Sequence, residues 1–217
     1  MFSLFFPHRC LACRQPMEGK ETLCSGCYSR ISFIPPDFSF KEEKGLQCGR
    51  SVSFLEGILL DLVHRWKYKG EERLGTFFVS LLERTTVDFS DRERVDLILP
   101  IPLSPRRLRL RGFNQSFVLA RGLAGLLQAP VDPLLLWRRD GIKTQVGLSR
   151  EERRTNLQEA FFVPPKKRSK LRNKRILLVD DVLTTGSTLS EAAHLLKREG
   201  AASVSFITLA RRRAILG

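Results

Sequence analysis

The chain has 217 residues, 42% hydrophobic and 28% charged, a balance that excludes a disordered polar chain and allows a real core. A total of 37 Lys and Arg against 23 Asp and Glu leaves a formal charge of +14, which favours polyanionic partners: nucleic acid, phosphorylated metabolites or an acidic membrane surface. No apolar run approaches the ~18 residues needed to span a bilayer, and Met1 to Phe6, stopped by Pro7, lacks the basic start and long apolar stretch of a secretory signal, so a cytoplasmic location is expected.

Residues 1–50 carry little helical or strand periodicity but hold the cysteines. Cys10-x-x-Cys13 and Cys24-x-x-Cys27 have the spacing of a tetrahedral four-sulfur Zn²⁺ site, which would supply folding energy to a module too small for its own core. A redox role for one pair is the weaker alternative. Cys48 stands apart, with His8 a distant substitute ligand.

Residues 51–90 form an expected helical hood or linker. Leu55, Ile58, Leu59, Leu62, Val63 and Trp66 recur at helical spacing, and Leu74, Phe77, Phe78, Leu81 and Leu82 mark a second helix. Lys67-Tyr68-Lys69-Gly70 reads as a basic turn between them. Trp66 and Tyr68 suit either stacking on a base or burial in a core or interface.

Residues 91–217 alternate strand and helix. Val95–Leu99 reads as a buried strand ended by Pro100-Ile101-Pro102, Asn114–Leu127 as a helix, and Leu134–Trp137 as a short strand. Ser149-Arg150-Glu151-Glu152 has capping-box form and predicts a helix towards Gln158, followed by a strand at Phe161–Val163. A strand at Arg175–Val179, a helix at Thr188–Glu199 ended by Gly200, and a strand at Ser203–Leu209 make a βαβ unit. The fold class predicted is therefore α/β, with a mainly parallel sheet flanked by helices.

The most informative string is Ile176-Leu177-Leu178-Val179-Asp180-Asp181-Val182-Leu183-Thr184-Thr185-Gly186-Ser187-Thr188. An apolar strand delivers two carboxylates at its carboxyl end, where open α/β sheets bind ligands. A loop of hydroxyl residues opens directly into a helix, which suits a phosphate monoester, and Gly186 permits close approach. The acids would repel that phosphate, so they address a neutral, hydroxyl-bearing part of the ligand, directly or through Mg²⁺. A ribose 5-phosphate meets both demands. The patterns of a P-loop triphosphatase and of a dinucleotide site are both lacking.

This string resembles the phosphoribosyl pyrophosphate (PRPP) signature of type I phosphoribosyltransferases. Across the chain the resemblance is to the ComF/GntX family of bacterial competence-type phosphoribosyltransferase homologues. It also rests on the cysteine pairs, Lys67-Tyr68-Lys69-Gly70, Leu99-Pro100-Ile101-Pro102, Arg111-Gly112-Phe113-Asn114-Gln115, and Gln145 to Phe161 with Arg153 and Asn156.

The resemblance implies a type I phosphoribosyltransferase sheet, with Asp180 and Asp181 on the ribose hydroxyls and Thr184, Thr185, Gly186, Ser187 and Thr188 on the 5-phosphate. The turn after the first sheet strand, here read as Val95–Leu99, would hold pyrophosphate, which places it at Pro100, Ile101, Pro102 to Ser104. Two departures stand out: Ile142 occupies a position where the family usually has Thr, and Cys48 alone remains of a further cysteine pair.

Transfer of phosphoribose builds positive charge on the sugar and negative charge on pyrophosphate, so Mg²⁺ and basic side chains are expected to act electrostatically. Arg106, Arg107, Arg109 and Arg111 form either a basic lid or a solvated edge; Arg111, beside Gly112, is the strongest candidate, and Lys69 and Arg153 are weaker ones. The run Lys166, Lys167, Arg168, Lys170, Arg172, Lys174 and Arg175 reads as a solvated connection or an electrostatic footprint for single-stranded DNA, with Phe161 and Phe162 beside it.

The family implies a link to natural transformation and to competence proteins as partners. Two functions follow as expectations. One is a Mg²⁺-dependent phosphoribosyltransferase with an unspecified acceptor; the other is a non-catalytic, PRPP-responsive competence protein that binds single-stranded DNA.

Overall fold

The computed structural model describes residues 8–35, 46–90, 94–140 and 160–213. The predicted helix from Ser149 to Gln158, with Gln145, Arg153 and Asn156, lies outside the described residues.

A short antiparallel hairpin opens the chain, β1 (His8–Arg9) against β2 (Pro16–Met17), followed by α1 (Ser25–Tyr28). The main sheet comprises β3 (Gly49–Phe54), β4 (Leu97–Pro100), β7 (Arg175–Leu183) and β8 (Ser203–Arg211), in the order β3-β8-β7-β4. Every neighbouring pair is parallel. Strands covered on both faces read as continuous apolar runs, which is why Ile176–Val179 and Phe206–Ala210 show so little alternation.

Alternate residues still divide between two cores. Leu177, Val179, Ile207 and Leu209 face α2 (Gly57–Lys69), α3 (Glu72–Ser90) and α5 (Gln115–Leu127). Ile176, Leu178, Val204 and Phe206 face α6 (Ser187–Arg198) and a second hairpin, β5 (Trp137–Arg138) against β6 (Phe161–Phe162). Cys10, Leu23, Cys27 and Ile31 join the first core, so the cysteine module packs on the helices. Arg65 ties the two together, donating to the Leu11 carbonyl while gripping Glu71.

Three local readings are corrected. β3 is a sheet strand that polar-looking Gly49-Arg50-Ser51-Val52-Ser53-Phe54 did not advertise, and it precedes β4, so Val95–Leu99 is not the sheet's first strand in the chain. Leu134–Trp137 is not a strand: only Trp137 and Arg138 pair, because Leu134 and Leu135 turn instead. Lys67-Tyr68-Lys69 continues α2, which ends at Gly70 with φ +64°, a left-handed cap that glycine adopts without strain.

The arginine-rich stretch becomes α4 (Pro105–Arg111). Ser104 caps it by accepting from the Arg107 amide at 3.4 Å, Pro105 fits its first turn, and Gly112 at φ +78° ends it.

Candidate functional site

The four paired cysteines come together. The sulfurs of Cys10, Cys13, Cys24 and Cys27 all lie within 4.8 Å of one another, and Cys13 Sγ sits 3.8 Å from Cys24 Sγ. A tetrahedral Zn–S₄ centre with bonds of about 2.3 Å has sulfur–sulfur edges of about 3.8 Å, so the donor set fits that ion. Burial and the three neighbouring sulfurs push the Cys27 thiol up to about 12, the response of a crowded sulfur cluster that a cation would relieve. Cys48 lies apart, its thiol donating to Ser205 Oγ at 3.3 Å, and His8 is exposed on β1 outside the cluster.

The second site sits at the carboxyl end of β7. Asp180 and Asp181 are the sixth and seventh residues of that strand, so the pairing of Asp180 and Val182 with β8 fixes the backbone that carries both carboxylates. Asp180 Oδ1 accepts from Ser116 Oγ at 2.8 Å and from the Asp181 amide at 2.9 Å. Loss of hydration, reinforced by the adjacent Asp181 carboxylate, pushes the Asp180 carboxyl up to about 7. Asp181 is buried and pairs with the Lys67 ammonium at 2.7 Å.

Beyond the acids the turn reverses at Gly186, φ +78°, and delivers α6. Thr185 and Ser187 share a hydroxyl hydrogen bond of 3.0 Å across it. A cavity of about 320 Å³ opens against this turn. Asp180, Asp181, Thr184 and Thr188 line one side; Ile101, Pro102 and Leu103 line another; Leu55, Leu60, Val63, His64, Lys67 and Tyr68 form the wall from α2 and the residues before it.

Five cations face the cavity, Lys67, Arg107, Arg111, Arg138 and Arg212, against the two acids. Burial, then the neighbouring charge of Arg107, holds Arg138 below the usual guanidinium range, a cost that an incoming anion would offset. Arg111 donates to Gln115 Oε1 and to the Tyr68 hydroxyl, both at 3.2 Å, and its guanidinium lies 5.3 Å from the Tyr68 ring centre. Asn114 fastens the opposite loop by donating to the Ile101 carbonyl at 3.0 Å.

The structure therefore gathers Asp180, Asp181, Arg111, Ile101, Pro102, Thr184 and Thr188 around one cavity, with Thr185, Gly186 and Ser187 forming the turn between the threonines and Pro100 buried at the end of β4. Of the other arginines on α4, Arg107 faces the cavity while Arg106 and Arg109 are exposed away from its lining. Lys69 is exposed and not part of the wall. Trp66 is core, 1% exposed and packed on Phe78 and Phe113, whereas Tyr68 is 59% exposed at the cavity mouth. Ser116 and Arg138 fall in no motif that marks them as site residues, and Lys67, inside the Lys67-Tyr68-Lys69-Gly70 motif, is expected there only as part of a basic turn; Ser116 meets Asp180 across 64 residues of sequence, a pairing with no local signal.

The basic run Lys166 to Arg175 spends much of its charge internally. It forms a short 3₁₀ helix at Pro165–Leu171, and Arg168 pairs with Glu199, Lys170 with Asp132 and Arg175 with Asp96. Phe161 is buried, leaving Phe162 and Trp137 nearer the surface.

Comparison with known proteins locates this geometry. A phosphoribosyl transferase domain model matches residues 114–215, and a double zinc ribbon domain model matches residues 1–53. Competence protein F of Haemophilus influenzae is 31% identical over 227 residues, covering 95% of this chain and 98% of that protein. DNA utilization protein YhgH of Salmonella typhimurium is 32% identical over 228 residues, covering 96% and 99% respectively. Competence protein ComFC of Bacillus subtilis is 29% identical over 206 residues, covering 94% of this chain and 78% of its own. Among the described residues no helix is long and apolar enough to cross a membrane.

Proposed function

The chain belongs to the competence protein F family, with a type I phosphoribosyltransferase fold behind a double zinc ribbon, and on that premise we propose that the cavity at the end of β7 binds PRPP and supports phosphoribosyl transfer. The observation that carries this reading is the meeting, around one cavity, of two acids at a strand end, a hydroxyl-rich turn opening a helix, and four arginines. Asp180 and Asp181 would accept hydrogen bonds from the ribose hydroxyls, and the turn from Thr184 to Thr188 would take the 5-phosphate. Pro100, Ile101 and Pro102 shape the loop where pyrophosphate would lie.

In the transfer, the bond from ribose C1 to the pyrophosphate oxygen breaks and its electron pair leaves with pyrophosphate, while the acceptor's lone pair forms the new bond to C1. Arg107, Arg111 and Arg138 face the cavity in which that negative charge would grow, and the acid pair faces a sugar becoming positive. Mg²⁺ would neutralise pyrophosphate charge when bound. The acids are not two free carboxylates offered to such an ion, since Lys67 occupies Asp181 and the Asp180 carboxyl is raised, so Mg²⁺ fits best as a companion of the substrate's own oxygens.

The names of the relatives, competence protein and DNA utilization protein, support a role in DNA uptake and natural transformation. A second reading, a PRPP-responsive module without turnover that binds single-stranded DNA, is favoured by one surface. Trp137 is 44% exposed, its ring 6.2 Å from that of Phe162, and the Arg139 guanidinium lies 5.4 Å from the Phe162 ring centre.

The test is to offer PRPP, Mg²⁺ and a panel of nucleobases to the purified protein and follow pyrophosphate release. Release that Asp180→Asn abolishes supports the enzyme. Binding of PRPP without release, together with DNA affinity that falls steeply with salt, supports the module. Neither binding nor release would refute both.

A further inference from the structure

The acid pair already has a cation, and it is a side chain. Lys67 lies on α2, outside the PRPP-signature string, and its ammonium stands 2.7 Å from Asp181 Oδ2 with both side chains largely buried, 15% and 11% exposed. Among the described residues it is the cation in direct ion-pair contact with this couple, while Arg138 acts on Asp180 from farther away.

Its position is held from several directions. Trp66, the preceding residue, is packed on Phe78 and Phe113, and Arg65 is anchored to Glu71 and to the Leu11 carbonyl of the cysteine module. The helix ends three residues later at Gly70, so Lys67 sits in its last turn, where the helix dipole favours positive charge. A buried ion pair with both partners fixed resists replacement, because removing one charge leaves the other dehydrated and unpaired.

The charge count at the acids then decides what the sugar end requires. Asp181 is balanced by Lys67, and Asp180 accepts from Ser116 Oγ and the Asp181 amide, which leaves carboxylate oxygens to face the hydroxyls of a sugar without an additional cation. A Mg²⁺ ion placed on the pair would have to shed water and compete with a tethered ammonium for Asp181. The other cations that line the cavity among the described residues, Arg107, Arg111, Arg138 and Arg212, make no ion pair with Asp181, although Arg138 feels the charge of Asp180 from a greater distance.

We propose that Lys67 is the resident counter-ion of the sugar-holding acids, a positioning residue that lets the ribose 5-phosphate half of the ligand bind without metal and confines the need for a divalent cation to the pyrophosphate. The inference rests on the reading of this cavity as a PRPP site. It deepens that reading by assigning metal dependence to one half of the ligand.

The experiment is calorimetric titration of the zinc-loaded full chain with ribose 5-phosphate and, separately, with PRPP, each with and without millimolar Mg²⁺ and without chelator. For the wild type, Mg²⁺ should change ribose 5-phosphate affinity by less than about twofold, a difference of under half a kcal/mol. Lys67→Met should weaken metal-free ribose 5-phosphate binding by about tenfold or more, and Mg²⁺ should restore most of the loss, a rescue that mere structural damage would not show. Lys67→Arg, which keeps the charge, should stay independent of Mg²⁺, and it decides together with the wild type if Lys67→Met does not fold.

Wild-type binding of ribose 5-phosphate that requires Mg²⁺ would overturn the inference while leaving the PRPP site intact, as would a folded Lys67→Met that binds as tightly as wild type without metal. If the wild type binds neither ligand under any condition, the PRPP reading itself fails and this inference falls with it.

Discussion

Removing one hydroxyl should shift the pH range in which the cavity binds its ligand. Ser116, 2% exposed, donates its hydroxyl to Asp180 Oδ1 at 2.8 Å, and Ser116→Ala deletes that donor while leaving the Asp181 amide in place. A hydrogen bond to an ionised group is worth about 1.5–3 kcal/mol, and each pKa unit corresponds to about 1.36 kcal/mol, so the Asp180 carboxyl should rise by about one to two units. Starting from about 7, its ionised fraction near neutral pH falls from about half to about a tenth or less. If the ionised carboxylate holds the ribose, PRPP affinity in Ser116→Ala should drop about fivefold or more near pH 7 and recover towards wild type as the pH rises past about 9. Calorimetric titration of PRPP across that range, for both proteins, reads the shift directly. Superimposable profiles would refute the placing of Asp180 on the sugar.

Chelating the metal should unfold the cysteine module and lower the melting temperature of the whole chain, because Cys10 and Cys27 belong to the same core as α2 and α3; a stripped chain that melts unchanged would contradict a structural zinc. Gly122→Ala places a methyl 2.3 Å from Val79 Cγ1, between α3 and α5, and should cost about 1–3 kcal/mol in a urea unfolding titration. Asp96 is held well below the usual carboxylate range, first by the Arg175 side chain and then by the Arg175 amide. A depressed folded-state value means stability present above the ordinary carboxylate range and lost progressively as the pH falls from there through the depressed value. Asp96→Asn should therefore melt lower than wild type at neutral pH, with the gap beginning to narrow only below about pH 4 in thermal scans and persisting at about pH 3.

The parts of the site that were legible in the sequence are those in which chemistry and local structure coincide. The β7 strand, its two acids, the hydroxyl turn and α6 are contiguous, so one string announces both a shape and a ligand. The paired cysteines are legible for the same reason. The remaining parts depend on contacts between distant segments. β3 hides because Arg50 and Ser51 look solvated, yet Arg50 donates to the Thr85 carbonyl at 3.1 Å and Ser51 shares a hydrogen bond of 2.7 Å with Thr208, which is what allows polar side chains to be buried there.

Lys67 was hidden by the glycine that follows. Gly70 suggested a turn over the whole motif, whereas it only caps α2 and leaves Lys67 on a helix face aimed at Asp181. Trp66 and Tyr68 are two residues apart, and sequence could not say which was core; on a helix such neighbours point in different directions, and the structure buries the first and exposes the second. Arg138 owes its place in the cavity to the β5–β6 hairpin, whose strands are too short to carry a periodic signal.

The most direct test of the account is a crystal structure of the chain with PRPP and Mg²⁺ bound. The account predicts the 5-phosphate in the turn from Thr184 to Thr188, the ribose hydroxyls on Asp180 and Asp181, and the pyrophosphate towards Pro100–Ser104 and Arg111. Density for the ligand elsewhere, with the acids still facing an empty cavity, would contradict it.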